Sequence, residues 1–240
     1  MKNSKNQTLL ITIIGWLIAA LVFFPIFWMF LTSFKTEEMA ISTPPLFFFT
    51  PTLEGYHSIM ERVNYLSHMW NSILIAGGAT LLAIAVSVPA AYAMAFYPTK
   101  RTQDILLWMM STKMMPAVSV LLPIYVIFQK FSLLDNAAAM IVIYALMNLP
   151  ITVWLIYSSF KDLPTEVMEA GRLDGMTLWQ EIRFLVLPMS LPGLATTGLL
   201  SIILCWNEAF WSLNLTTTNA APLTQLIATF SSPEGLFWAK

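Results

Sequence analysis

The chain has 240 residues, of which 58% are hydrophobic and only 10% are charged. Soluble domains carry about 25% charged residues, so this composition predicts an integral membrane protein. The formal net charge is −1, and the sequence has no basic patch that could bind a phosphate backbone, so no nucleic-acid partner is predicted. Cys205 is the one cysteine, which excludes an internal disulfide, and its apolar neighbours predict a packing role. The two histidines lack partners at ligand spacing, so no metal site is predicted.

Five apolar runs are long enough to cross a bilayer, which takes about 20 mostly apolar residues. They are Leu9–Phe34, Asn71–Phe96, Ile105–Gln129, Asn136–Phe160 and Phe184–Asn207. The last run contains a span predicted at residues 190–210, beginning near Pro192.

The two ends of the chain allow further expectations. The first run could be a signal peptide, with Lys2 and Lys5 as its charged start, but its length and the lack of a small-x-small cleavage site favour a retained anchor. A sixth apolar run begins at residues 236–239, so we expect the natural protein to continue into a last span after residue 240.

Lysine and arginine counts in the short loops predict a cytoplasmic N-terminus. With the N-terminus inside, the inner segments hold seven such residues and the outer segments hold three. The inner residues are Lys2, Lys5, Lys100, Arg101, Lys161, Arg172 and Arg183, and the outer ones are Lys35, Arg62 and Lys130. The loop at residues 161–189 is therefore predicted to be cytoplasmic.

Two long segments then face the outside. Lys35–Met69 carries prolines and aromatic residues, and it could touch an external partner or simply lie on the lipid headgroups. Leu213–Glu234 is longer than a minimal hairpin requires, so it could reach into a partner or re-enter the membrane.

The predicted cytoplasmic loop contains the start and stop signals of two short helices. Pro164 suits the first turn of a helix, and Gly175 stands where that helix would end in a left-handed cap. Thr177 and Gln180 form the pattern of a capping box that opens a second helix, which Pro188 would bend or end.

Each of these helices has a predicted packing face. Val167, Ala170 and Gly171 make a narrow stripe of small residues on the first helix. Trp179, Ile182 and Val186 are predicted to line one face of the second. Together they predict a compact helix–turn–helix on the membrane surface that serves as a docking element.

Lys113 is an ionisable residue inside the third run, where such a group is costly and is a functional candidate. Pro116 follows three residues later and would loosen the helix. Lys113 and the Pro116 kink could line a polar pathway, or Lys113 could extend its ammonium group to the inner surface.

Glu208 and Asn207 form a second candidate site, at the outer end of the fifth run among tryptophan and phenylalanine side chains. An interfacial aromatic belt would give the same composition. A carboxylate and an amide among indoles also resemble a binding site for a hydroxyl-rich solute, and a structural or gating role is the other interpretation.

The sequence contains no Walker-type phosphate loop, no Gly-x-Ser-x-Gly and no His-Glu-x-x-His motif. No catalytic residue and no cofactor are therefore predicted in this chain, and it is not expected to be an enzyme.

One stretch of the loop carries a family resemblance. Glu169-Ala170-Gly171, Asp174-Gly175, Leu187-Pro188 and Pro192 resemble the cytoplasmic signature loop of the permease subunits of binding-protein-dependent ABC importers. Gly175 and Leu187 stand at the family's spacing from Glu169 without a gap. The loop departs from the family pattern at Gly171 and Met176, where alanine is usual.

Other stretches narrow the resemblance. Leu31–Lys35, Asn71-Ser72 and Trp206–Glu208 are similar to the smaller permease of the maltose-type carbohydrate importers. Ser111–Ala117 and the stretch 231–238 look closer to a sorbitol- or mannitol-type branch.

The resemblance implies an all-α permease bundle, with five of six spans present in this sequence. It implies a second permease, two ATPase subunits that hold ATP and Mg²⁺, an external solute-binding protein, and a multi-pass location in the bacterial inner membrane, with lipid around the spans and a carbohydrate or polyol as cargo. The loop would dock on an ATPase through Glu169 and its neighbours Ala170, Gly171, Asp174, Gly175, Leu187 and Pro188. Lys113, Pro116, Asn207 and Glu208 are candidates for the translocation path.

The alternative hypothesis is a self-sufficient secondary transporter, driven by ions through Lys113 and Glu208. It predicts transport by this chain alone, without ATP.

Overall fold

The computed structural model describes residues 5–230, and the described part is helical. Its longer helices are α1 (Lys5–Thr32), α4 (Tyr65–Phe96), α5 (Thr102–Lys113), α6 (Ala117–Lys130), α7 (Ala137–Lys161) and α11 (Leu191–Trp206). The shorter ones are α2 (Glu37–Ala40), α3 (Glu54–Arg62), α8 (Thr165–Leu173), α9 (Leu178–Glu181), α10 (Leu187–Met189), α12 (Phe210–Leu215) and α13 (Leu223–Phe230). A π-helical turn, Ile182–Val186, joins α9 to α10. The expected start of a sixth span, at residues 236–239, lies outside the described residues.

The chain divides into two compact units. The first contains α1 to α3. Lys35, which the sequence places in a loop after the first span, is only 2% exposed. The Lys35 ammonium donates a hydrogen bond to the carbonyl of Leu46 at 2.8 Å and lies 4.2 Å from the ring centroid of Trp28. Lys35 therefore ties the following loop back to the end of α1.

The second unit, residues 66–227, is a bundle in which α7 packs against α5 and α11. Ala79, Ala83 and Ala91 of α4 are completely buried. Small side chains let helix backbones approach closely, which is the usual way to pack helices within a bilayer.

Polar side chains join the helices of this unit. Thr80 of α4 donates to Ser201 of α11 at 3.1 Å, and Ser87 of α4 pairs with Thr152 of α7 at 2.8 Å. The Asn148 amide donates to the Cys205 sulfur at 2.9 Å, so the buried cysteine also accepts a hydrogen bond. Such pairs fix the helices in register where lipid supplies no partner.

Three described helices are long and apolar enough to cross a membrane, and two bent pairs could each form a further span. The third predicted run is not one straight helix, because α5 and α6 meet at 87° across the residues before Pro116. The fifth run is likewise bent, with α11 at 78° to Leu178–Met189. α11 begins at Leu191, next to the predicted start at Pro192.

Candidate functional site

The candidate coupling segment, residues 164–190, folds as α8, a tight turn, α9, the π turn and α10. Pro164 is the N-cap residue of α8, one position before the first turn in which the sequence places it. The predicted capping box is also confirmed, because the Thr177 N–H donates to the Gln180 side chain at 2.8 Å and the Gln180 N–H donates to the Thr177 hydroxyl at 3.4 Å.

Gly175 adopts the predicted left-handed conformation, with φ of 82°. The next N–H, that of Met176, donates to the carbonyl of Gly171 at 3.0 Å, and the Gly175 N–H donates to the carbonyl of Arg172 at 3.0 Å. These two bonds form a Schellman motif, which satisfies the last carbonyls of α8 and turns the chain sharply.

Gly171 and Met176, the two departures from the family pattern, lie against each other. A Cβ at Gly171 would lie 3.2 Å from the Met176 sulfur and 2.7 Å from the Leu185 Cδ1. The missing side chain at one position therefore makes room for the larger one at the other, and the two departures compensate.

The predicted packing faces are confirmed in part: Gly171 and Val186 are buried, and Val167 and Ile182 pack against the core, but the other two residues do not. Ala170 is exposed, and Met168, at 1% exposure, is the residue that packs beneath α8. Trp179 is 66% exposed, whereas Glu181 and Val186 are fully buried. The two buried residues are five positions apart, the repeat of the π turn, so the expected period of 3.6 does not apply there.

An ion pair that sequence reasoning missed joins α8 to α9. The Arg172 guanidinium donates to both oxygens of the Glu181 carboxylate, at 2.9 and 3.0 Å. Its central carbon lies 5.1 Å from the ring centroid of Tyr97, at the end of the helix that begins the bundle. Hydrogen bonding to Glu181 raises the pKa of Arg172 above its usual value, so the guanidinium stays charged. The i to i+9 spacing carries no sequence signal that could have predicted it.

The C-terminal part of the segment leads into the membrane helix. Leu187 and Pro188 lie in α10, and the bend falls at Ser190, two residues beyond the predicted position at Pro188. The Ser190 hydroxyl donates to the carbonyl of Val186 and is 2% exposed. The turn is therefore held by a side chain as well as by the proline.

The outward face of α8 remains open to contact. Glu169, Ala170 and Asp174 are exposed, and Leu173 is 88% exposed. These exposed side chains leave this face of α8 available for contact with a partner.

Lys113 and Glu208, distant in sequence, line one cavity of about 540 Å³ in the second unit. Its wall also includes Thr112 and Trp211, and the remaining lining residues are Met115, Ala117, Val120, Ile124, Ile143, Leu146, Met147 and Pro150. Pro116 and Asn207 do not line it. Pro116 precedes α6 at the bend, and the Asn207 amide donates to the carbonyl of Ile203 in its own helix at 2.8 Å.

Hydrogen bonds hold Glu208 in place. One carboxylate oxygen accepts the N–H of Trp211 at 3.0 Å. Its backbone carbonyl accepts the hydroxyls of Tyr144 at 3.2 Å and Thr224 at 2.9 Å. The second carboxylate oxygen has no partner among the described residues, so Glu208 can both stabilise its turn and accept a hydrogen bond from a ligand.

Asp135, which sequence reasoning also missed, organises the loop after α12. Its carboxylate accepts the backbone N–H groups of Thr217, Thr218, Asn219 and Ala220, at 2.9–3.2 Å. Burial alone would raise the pKa of Asp135, but these N–H groups outweigh it and hold the pKa well below its usual value. Isolated acidic residues in loops give no sequence signal of such a role.

The described part of the chain thus combines a bent helical bundle with a capped helix–turn–helix. The crystal structure of a bacterial ABC transporter involved in the import of the acidic polysaccharide alginate aligns with a TM-score of 0.79 and 17% sequence identity, covering 100% of this chain and 91% of that chain. That likeness shows the fold.

The chain belongs to the family of binding-protein-dependent transport system inner membrane components, whose family model matches residues 87–238. It is 33% identical over 239 residues to a probable ABC transporter permease protein of Sinorhizobium fredii, covering 98% of this chain and 85% of the relative. It is 29% identical over 238 residues to the trehalose/maltose transport system permease protein MalG of Thermococcus litoralis, with the same coverage. The family assignment made from the signature loop is therefore confirmed.

Proposed function

We propose that this chain is a permease subunit of an ATP-driven carbohydrate importer, and that its cargo is a sugar alcohol of the sorbitol or mannitol type. Similarity to a permease named for trehalose and maltose supports the carbohydrate class. The polyol assignment rests on the sequence of Ser111–Ala117 and of residues 231–238.

The working complex would contain this chain, a second permease, two ATPase subunits that hold ATP and Mg²⁺, and an external solute-binding protein. This chain would form one side of the translocation path, with Lys113, Pro116, Asn207 and Glu208 along it. ATP-driven closure of the ATPase pair would move the coupling segment and shift the bundle between its inward-open and outward-open states.

One observation carries the coupling role: one face of α8 is held by contacts within this chain, and the opposite face is exposed. The Schellman turn and the Arg172–Glu181 pair fix its orientation, while Glu169 and Leu173 face outward. Within the described residues the Glu169 carboxylate accepts no hydrogen bond. A rigid helix transmits a displacement at its exposed face directly to the membrane helix that follows it.

The test is ATP-driven uptake in proteoliposomes that contain the complete complex, with solute-loaded binding protein outside. Glu169→Arg is expected to lower uptake about tenfold or more, because it reverses a charge at the docking face. Asp104→Arg is the matched control, since Asp104 is an exposed acidic residue outside the coupling segment. Equal uptake by the Glu169→Arg complex and the wild type would refute the docking role.

The same vesicles separate the two transport hypotheses. Uptake by this chain alone, without ATPase subunits and ATP, would show a secondary transporter. A panel of polyols and sugars bound by the cognate binding protein then identifies the cargo, and failure to bind sorbitol or mannitol would overturn the polyol assignment.

A further inference from the structure

The cavity beside Lys113 and Glu208 has the features of a ligand site as well as of a passage. Its volume of about 540 Å³ falls within the range of about 300–1,000 Å³ that is typical of small-molecule sites. Its wall is mostly apolar, with a few polar groups, the composition that such sites share. Both charged side chains, and the rest of the lining residues, belong to the same compact unit.

The polar groups of the wall offer both donors and acceptors. Lys113 supplies an ammonium group, and Glu208 supplies the carboxylate oxygen that Trp211 leaves free. Leu146 also lines the cavity. Because Pro150 has no N–H, the carbonyl of Leu146 lacks the donor that would complete its helical hydrogen bond. A hydroxyl group donates and accepts at once, and therefore suits such a mixed set.

The charges of the wall do not favour an ionic solute of either sign. The positive charge of Lys113 and the negative charge of Glu208 cancel, so no excess charge favours an anion or a cation. Trp211 adds an aromatic side chain to the same wall. We propose that this cavity is a solute-binding site carried by this chain itself, and that it takes a neutral, polyhydroxylated molecule.

This inference rests on the proposed function, since it assigns the cargo a contact residue in this subunit. Two variants change the charge of the cavity while keeping its shape. Glu208→Gln keeps an acceptor for the Trp211 N–H, and Lys113→Met keeps the unbranched chain up to the position of the ammonium group. Leu199→Ala, at a position of α11 that is 60% exposed and outside the cavity, is the control.

The measurement is equilibrium dialysis of the complete complex, held by a non-hydrolysable ATP analogue and without binding protein, against radiolabelled sorbitol, maltose and glucuronate. The wild-type complex should bind sorbitol or maltose in preference to glucuronate. Lys113→Met should weaken binding of the neutral sugar about tenfold, because a charged hydrogen-bond donor is lost. Glu208→Gln should strengthen glucuronate binding severalfold, since it leaves the cavity with a net positive charge.

Opposite shifts in selectivity would not arise from a merely structural role. The proposal is overturned if the wild-type complex binds neither neutral sugar, or if both variants bind all three probes as the control does. Failure of the proposed function is a separate result, the absence of ATP-driven uptake by the wild-type complex. A complex that transports normally but shows unchanged selectivity in both variants would refute the binding site alone.

Discussion

At the scale of single residues, Gly175 holds a backbone conformation that few other residues accept. With φ of 82°, it lets α8 end within one turn and sends the chain into α9. A Cβ at this position would meet no neighbouring atom. The positive φ angle, and not crowding by neighbours, therefore restricts which residues this position accepts.

We therefore expect Gly175→Val to destabilise the turn by about 1–2 kcal/mol and to uncouple ATP hydrolysis from uptake. Gly175→Asn is the matched control, because asparagine tolerates the left-handed region. Uptake and ATPase activity of the two complexes, measured side by side, check this. Full coupling in the valine variant would show that the turn geometry is dispensable.

Arg172 is the second residue with a defined role, because it forms an ion pair with Glu181. Its partner Glu181 is fully buried, while the Arg172 side chain is 38% exposed, so the pair is screened from water on one side only. Removal of the arginine leaves a buried carboxylate without a counter-charge, which is costlier than removal of both charges.

Arg172→Met should accordingly lower the thermal unfolding temperature of the purified complex by several degrees. The double variant Arg172→Met/Glu181→Met should recover part of that loss, since apolar side chains often replace a buried pair well. Fluorescence-monitored melting of both variants in detergent is the measurement. Strictly additive losses would contradict a coupled pair.

At the scale of elements, Asp135 joins the α6–α7 connection to the loop that follows α12. Besides accepting N–H groups through its side chain, it donates its own N–H to the carbonyl of Leu215 at 2.9 Å. The same loop is held from α4, where the Asn71 amide donates to the carbonyls of Asn219 at 2.8 Å and Ala221 at 3.1 Å. Three separate stretches of chain are thereby fixed together.

The lowered pKa of Asp135 gives this junction a pH dependence of known sign. An unfolded aspartate has a pKa of about 3.9, so the stabilisation is complete above about pH 4 and is lost as the pH falls toward the lower folded pKa. We expect the wild-type unfolding temperature to fall more steeply below pH 4 than that of Asp135→Asn. Parallel curves for the two proteins would exclude this contribution.

At the scale of the whole molecule, the predicted topology places the coupling segment and the Asp135 junction on opposite sides of the membrane. Cys205 is buried at 3% exposure, so single cysteines introduced elsewhere can be labelled selectively. In right-side-out vesicles, Thr218→Cys should react with an impermeant maleimide, and Asp174→Cys should react only after the membrane is permeabilised. The reverse pattern would invert the predicted orientation.

The bends at the two broken helix pairs also belong to this scale. Pro116 marks the first bend in the sequence, but the angle of 87° depends on how α5 and α6 pack against the rest of their unit. At the second bend, the Ser190 hydroxyl donates a hydrogen bond to the carbonyl of Val186. The sequence indicates this bend only through Pro188, two residues earlier.

The sequence by itself determined the apolar helices, the Gly175 turn, the capping box and the family, because periodicity, turn chemistry and motif spacing are local properties of the chain. It also marked Lys113 and Glu208 as costly residues without showing that they share a cavity. Only the tertiary structure showed that Lys113 and Glu208 line one cavity, that Arg172 pairs with Glu181, and that Asp135 holds the loop after α12. Each joins groups that the chain separates, and local sequence carries no signal for which distant partner satisfies a charge.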